Sequence, residues 1–476
     1  MKKTLLTLNL IVSALLSNAQ QSLTLYNMDV IGQSNQINPS LMPENNWYIG
    51  VPALSSTSFT FSNSGFAWTD LHWKRQDDSV NLDIENAISK MPEKNYISIA
   101  VREDILEGGF KIKNNYFSFN VTEILNLNLT FPKELFELFL KGNGAFIGQE
   151  VDLKRMAFDA THYREYAIGW TRALNKQATI GGRIKYLYGM ENFSSGESNL
   201  SFYTAPDDYQ LELTSGYTIN TSTSSNSSNG NGGSYMFGLK NTGFAADFSG
   251  TYFYSERWKF NASIIDFGYI NWRSNVKNLV TAKGNYSFNG IDINKFISDS
   301  SSSLSNVMDS ISNSFKPVET TEAYKTNIPT HLYFNAIYKL NAKLSLSGLA
   351  HAVIFRETVQ PTFTASINGR ITDHFSASIN FSMINHHFNN VGAGFAANMG
   401  AFQFFLLSDN WIGTIYPLSN STANFQFGFN LIYGRHKTKK APDFGVQNKT
   451  IKPNTNGAIM AEPIEEELPK DKEQKK

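Results

Sequence analysis

Between Ala423 and Tyr433 the chain alternates, with Ile432 as the one apolar residue on the polar parity. Ala423, Phe425, Phe427, Phe429, Leu431 and Tyr433 fall on one parity, and Asn424, Gln426, Gly428 and Asn430 on the other. A strand points successive side chains to opposite faces, so this segment has one aromatic face and one polar face. His374 to Met383 repeats the pattern, with Phe375, Ala377, Ile379, Phe381 and Met383 opposite His374, Ser376, Ser378, Asn380 and Ser382. Many alternating segments of about ten residues, apolar outside and polar inside, are the signature of an antiparallel transmembrane β-barrel with a wet lumen. The expected fold is therefore all-β, an outer-membrane barrel with short helices in its loops.

Composition separates this reading from a soluble β-sandwich. Charged residues make up 17% of the chain, against about 25% for soluble domains, and a sandwich would place more charge on its polar face. Aromatic residues reach 13%, yet mean hydropathy is only −0.29. Past the first residues no apolar run approaches the roughly 20 residues of a spanning helix. The 41 basic and 41 acidic residues cancel, which removes the electrostatic footprint of a nucleic-acid binder. Cysteine is absent, so disulfides, thiol nucleophiles, thiolate metal sites and a cysteine-linked lipid are excluded.

Residues 1–19 read as a signal peptide: Lys2 and Lys3, an apolar core from Leu5 to Leu16, and Ser17-Asn18-Ala19 before the expected cut. Residues 20–54 read as an amino-terminal periplasmic or plug segment, 55–434 as the barrel, and 435–476 as a disordered periplasmic tail rich in proline and charge. Short turns are expected at Leu174-Asn175-Lys176, Pro206-Asp207-Asp208, Ser255-Glu256, Asn341-Ala342-Lys343, Thr372-Asp373 and Met399-Gly400. Longer links are expected at Glu191 to Ser198, Thr221 to Lys240, Arg273 to Asn327 and Ser408 to Thr422. Alternation of turns and loops puts both termini in the periplasm of a Gram-negative cell. A direct count gives about sixteen strands; without the short Leu200 to Tyr203 strand and a partner it gives about fourteen. Helices are expected after Pro132 and within Ile291 to Phe315.

Four charges stand on the polar faces of clean strands: Arg183, Lys185, Asp247 and Lys259. They are candidates for a lumenal constriction, with mutual pairing inside the barrel as the structural reading. The Asn38-Pro39 step starts a turn before the first strand and is the candidate plug turn. Enzyme motifs lack their context. Gly392-x-Gly394-x-x-Ala397 lies inside an alternating strand, and Ser408-Asp409-Asn410 and Ser274-Asn275-Val276-Lys277 have no K-T-G partner. His386-His387 reads as a surface pair, and a lumenal hydrolase would have to use His351 or His374. The expectation is a barrel without catalytic residues, metal or cofactor.

The pieces Ile37-Asn38-Pro39-Ser40, Trp47-Tyr48-Ile49-Gly50-Val51-Pro52, Phe131-Pro132-Lys133-Glu134-Leu135-Phe136 and Ser408-Asp409-Asn410 resemble the PorP/SprF-like membrane proteins of type IX secretion and gliding, and an uncharacterised sister family. More distantly, they resemble the long-chain fatty-acid transporter superfamily. Ser40 stands where the pattern usually has Ala. The resemblance implies a fourteen-stranded barrel with passive transport of small hydrophobic or amphipathic molecules. Its alternative implication is a non-catalytic platform for type IX secretion or surface-protein assembly. Expected partners are outer-membrane lipid, a hydrophobic small molecule, and a periplasmic or secretion-system protein held by the tail; the barrel itself is expected to be monomeric.

Overall fold

In the computed structural model the chain forms a closed antiparallel barrel of 14 strands. It describes residues 22–65, 67–74, 80–207, 209–224, 240–281, 284–288, 317–356, 358–384 and 387–434. The signal peptide, the Ile291 to Phe315 helix, most of the Thr221 to Lys240 link, His386 and the tail from 435 onward lie outside these residues.

The wall runs in chain order. Its strands are β1 (Trp47–Gly50 and Ser56–Asn63), β2 (Lys94–Ile112), β3 (Asn115–Pro132), β4 (Ala157–Ala173), β5 (Ala178–Ser198), β6 (Asn241–Phe253) and β7 (Trp258–Trp272). They continue as β8 (Tyr324–Asn327 and Thr330–Lys339), β9 (Leu344–Phe355), β10 (Thr358–Arg370), β11 (Phe375–Ile384), β12 (His387–Met399), β13 (Phe402–Ser408) and β14 (Thr422–Tyr433). Each strand pairs with the next, and β14 closes on β1 with Phe425 opposite Phe59 and Tyr433 opposite Trp47. Closure leaves the ring no unpaired edge.

Alternation sets the two faces. Ile168, Ile184, Phe248, Phe267, Ile379 and Phe363 are exposed on the outside, while Asn120, Thr364, Ser378, Asn380, Gln403 and Asn430 are buried inside. At the end carrying the short turns, Trp47 stacks on Tyr433, Phe110 on Phe117 and Trp258 on Phe260, forming an aromatic belt suited to a membrane interface.

Three sequence expectations change. Ser201–Thr204 and Leu211–Ser215 leave the wall and pair with each other in a separate four-stranded sheet, together with Glu150–Asp152 and Gly284–Phe288. They alternate because that small sheet has its own core, built on Phe146, Val151, Leu153 and Phe202. This removes the extra pair from the sixteen-strand count, and Pro206-Asp207 becomes a link of that sheet rather than a barrel turn. Glu191 to Ser198 is no link either. It continues β5, because Tyr217–Thr223 supplies a partner strand beyond the wall.

The wall is uneven. β2 to β5 hold 17 to 21 residues each, whereas β13 holds only 7. Past Ser408 the chain turns into the lumen at Asp409 and Asn410, both buried, and then forms the short helix Trp411–Ile415. Asn410 caps that helix by accepting from the Gly413 amide at 3.0 Å.

Candidate functional site: a plugged lumen with a chamber above it

Residues 22–45 run through the barrel. They contain two one-turn helices, α1 (Leu23–Tyr26) and α2 (Ser34–Ile37), too short to hold themselves and fixed by the wall instead. The anchors come from strands all around the ring. The Tyr26 hydroxyl meets Ser263 of β7 at 2.7 Å, and Asn27 bonds Ser366 of β10 and Asn335 of β8 at 3.1 and 2.8 Å. Gln33 and Asn430 of β14 exchange reciprocal amide bonds at 2.8 and 2.9 Å. Gln36 donates to Asp104 of β2 at 3.0 Å.

The candidate plug turn sits deep within this segment. Asn38 is buried and accepts from the Ser40 hydroxyl at 2.7 Å; the Pro39 carbonyl accepts from Thr171 of β4 at 2.5 Å. Gly181 of β5 faces Pro39 so closely that a Cβ there would meet the Pro39 carbonyl. Gly181→Val is therefore expected to unseat this turn and to cost about 1–3 kcal/mol by overpacking. Gly250→Ala, at a glycine with open space around it, is expected to be neutral. Urea unfolding of the two variants checks both.

Asp409 holds the start of the plug. Its carboxylate accepts from the backbone amides of Leu23 and Thr24 at 2.9 and 2.7 Å, from the Thr24 hydroxyl at 2.5 Å and from Asn424 at 2.7 Å. A carboxylate placed on the first amides of a helix satisfies donors that have no partner within it. The contact joins residues nearly 400 positions apart in the chain. Its only sequence signal is the Ser408-Asp409-Asn410 triplet.

On the β2–β7 side, charges fill the space between plug and wall. Lys185 lies 2.8 Å from Asp247 and 3.4 Å from Glu165, and it also pairs with Asp266. Arg183 lies 3.8 Å from Asp247 and 4.0 Å from Glu165, and donates to Asn120. Arg102 reaches Glu165 at 3.5 Å and the plug's Gln36 at 2.8 Å. Three of the four sequence candidates thus meet in one buried network of opposite charges. Lys259 stands apart: it lies near the turn end and pairs with Asp29 of the plug at 3.5 Å. Alternation missed Asp266 because β7 bulges there. Asp266 takes a left-handed φ of 61°, its amide donates to Asp247 at 2.8 Å, and both Ile265 and Asp266 turn inward.

Above the plug lies a chamber of about 110 Å³. Its floor is plug, through Leu25, Gln36 and Ile37. Its walls combine apolar side chains, Ile124, Tyr163, Ile265 and Tyr333, with polar ones, Arg102, Lys185, Asp266 and His331. One water needs about 10–15 Å³, so the chamber has room for a small organic molecule. His351 lies beside it, 3.4 Å from His331 and stacked on Tyr333, within a ring stack that ends on the plug's Tyr26. His374 sits exposed in the β10–β11 turn and does not line the lumen, because β11 begins only at Phe375. The two histidines named for a hydrolase therefore do not meet. Among the described residues no cluster of His, Asp and Glu could hold a metal ion.

Barrel, plug and chamber together define a closed antiparallel β-barrel with an internally plugged lumen. The chain belongs to the family of unknown function DUF5723, whose family model matches residues 39–409. No curated protein matches it. Solved structures similar to it include the Ralstonia pickettii toluene transporter TbuX, at 9% identity over 83% of this chain and 92% of that one, with a TM-score of 0.38. The Pseudomonas putida toluene transporter TodX matches at 8% identity over 87% and 93%, with a TM-score of 0.39. A Pseudomonas aeruginosa FadL homologue matches at 8% over 84% and 93%, with a TM-score of 0.35. Likenesses this distant say nothing about what this chain carries. The PorP/SprF-like resemblance gains no support from these matches.

Proposed function

We propose that this barrel is a passive conduit of the outer membrane for small hydrophobic or amphipathic molecules. In this reading the turn end, where β14 finishes at Tyr433, faces the periplasm, in keeping with short turns at one end and long links at the other. The observation that carries the proposal is the chamber. It is lined by the apolar Ile124, Tyr163 and Ile265 together with the charged Arg102 and Lys185, and its floor is a segment held by side-chain bonds rather than by a β-ladder. A molecule with an apolar body and a polar end finds partners for both there. Passage then requires local displacement of the plug. Its many wall bonds, each worth about 0.5–1.5 kcal/mol net, hold the whole segment too firmly to leave at once.

Liposomes loaded with benzenesulfonate, a small aromatic that bilayers retain, test this. The purified barrel is expected to release it, and Ala100→Trp, which grows a ring into the chamber, to slow release by roughly tenfold, equivalent to about 1.4 kcal/mol. Wild-type liposomes as tight as empty ones, with the barrel shown to be folded, would sink the proposal.

A further inference from the structure

We propose that Arg356, at the tip of the β9–β10 hairpin, is a latch closing the loop-end mouth over the chamber. The inference does not depend on what the barrel carries. From this hairpin the guanidinium reaches across to strands that are not its neighbours. It donates to the Ser195 hydroxyl of β5 at 3.0 Å and to the Phe158 carbonyl of β4 at 3.2 Å, and it pairs with Asp159 of β4 at 3.3 Å. Five strand positions separate β9 from β4 around the ring.

The column of inward side chains on β4 shows what lies beneath. Glu165 belongs to the charge network, Tyr163 lines the chamber, and Thr161 and Asp159 continue toward the loop end. Asp159 is prepared for the latch, its other oxygen accepting from Thr161 at 2.5 Å. A second crossing lies alongside, where the Tyr324 hydroxyl of β8 donates to Asn192 of β5 at 2.8 Å.

Arg356 takes the left-handed φ of 52° that its two-residue hairpin turn requires, and its exposure marks a latch rather than a fixed strut. Its side chain is 30% exposed while that of Asp159 is 5% exposed, so the pair opens from the solvent side without unburying the carboxylate's strand. The exposure of the guanidinium leaves the pair open to partial screening by salt. The ladder hydrogen bonds of the wall, by contrast, stay closed.

The cysteine-free chain makes the test direct. Thr60→Cys puts one thiol on the chamber wall. Its reaction with the small water-soluble cation MTSET is followed in detergent, with heat-modifiable gel mobility confirming a folded barrel in every sample. Adding Arg356→Ala is expected to speed labelling at least about tenfold, and Arg356→Lys, which keeps charge but not the fork, to fall between. Salt should speed labelling of the Arg356 protein and leave the alanine variant unchanged. Equal rates in the Arg356, Lys and Ala proteins would overturn the latch, even if benzenesulfonate passes freely.

Discussion

Asp409→Ala is expected to raise benzenesulfonate release by roughly a hundredfold, equivalent to about 3 kcal/mol. The carboxylate accepts four hydrogen bonds, three of them from Leu23 and Thr24 of the plug. Bonds to a charged group are worth about 1.5–3 kcal/mol each, and water recovers part of that once α1 swings free. The plug keeps its other anchors, such as the Gln33–Asn430 amide pair, so the change frees one end and not the whole segment. Asp409→Asn retains one acceptor oxygen and should fall between alanine and wild type. Deleting residues 22–45 sets the upper limit, because the wall closes through β14 and β1 without them. If all three variants release solute at the wild-type rate, the segment does not control passage.

The wall was legible in the sequence because its physics is local. Period-2 alternation in Ala423 to Tyr433 and Phe375 to Met383 follows from strand geometry alone, and the structure keeps the two faces. The strand count wavered where alternation served another sheet, at Ser201–Thr204 and Leu211–Ser215, since a sequence does not tell one half-buried sheet from another. Site residues followed the same divide. Arg183, Lys185 and Asp247 could be picked out as charges on a polar phase. Glu165 shares that signal, lying opposite in parity to Tyr166, Ile168 and Trp170. Arg102 lay in a strand whose pattern breaks at a register shift between Asp104 and Leu106, and Asp266 at a bulge. Asp409 and Arg356 act on strands and helices far away in sequence. No spacing rule connects Asp409 to Leu23, or Arg356 to Asp159.

Lys185→Ala is expected to destabilise the barrel by about 3–5 kcal/mol, the usual cost of stripping one partner from a buried ion pair. Lys185 is 1% exposed and faces Asp247, Glu165 and Asp266 at once. Its removal leaves Arg183 and Arg102 to balance those carboxylates from longer range, Arg183 at 3.8 Å from Asp247 and Arg102 at 3.5 Å from Glu165. Lys185→Met keeps most of the volume and should lose nearly as much, which separates charge from packing. The double variant Lys185→Met/Asp247→Asn removes one charge of each sign and should recover part of the loss, giving a coupling energy of about 1–3 kcal/mol. Urea unfolding followed by tryptophan fluorescence reads all three. A loss below about 1 kcal/mol for Lys185→Ala would class these contacts with solvent-screened surface pairs. Strictly additive losses would mean that Lys185 and Asp247 do not act as a pair, and the charged side of the lumen would then be a set of separately hydrated groups rather than a network bracing the wall against the plug.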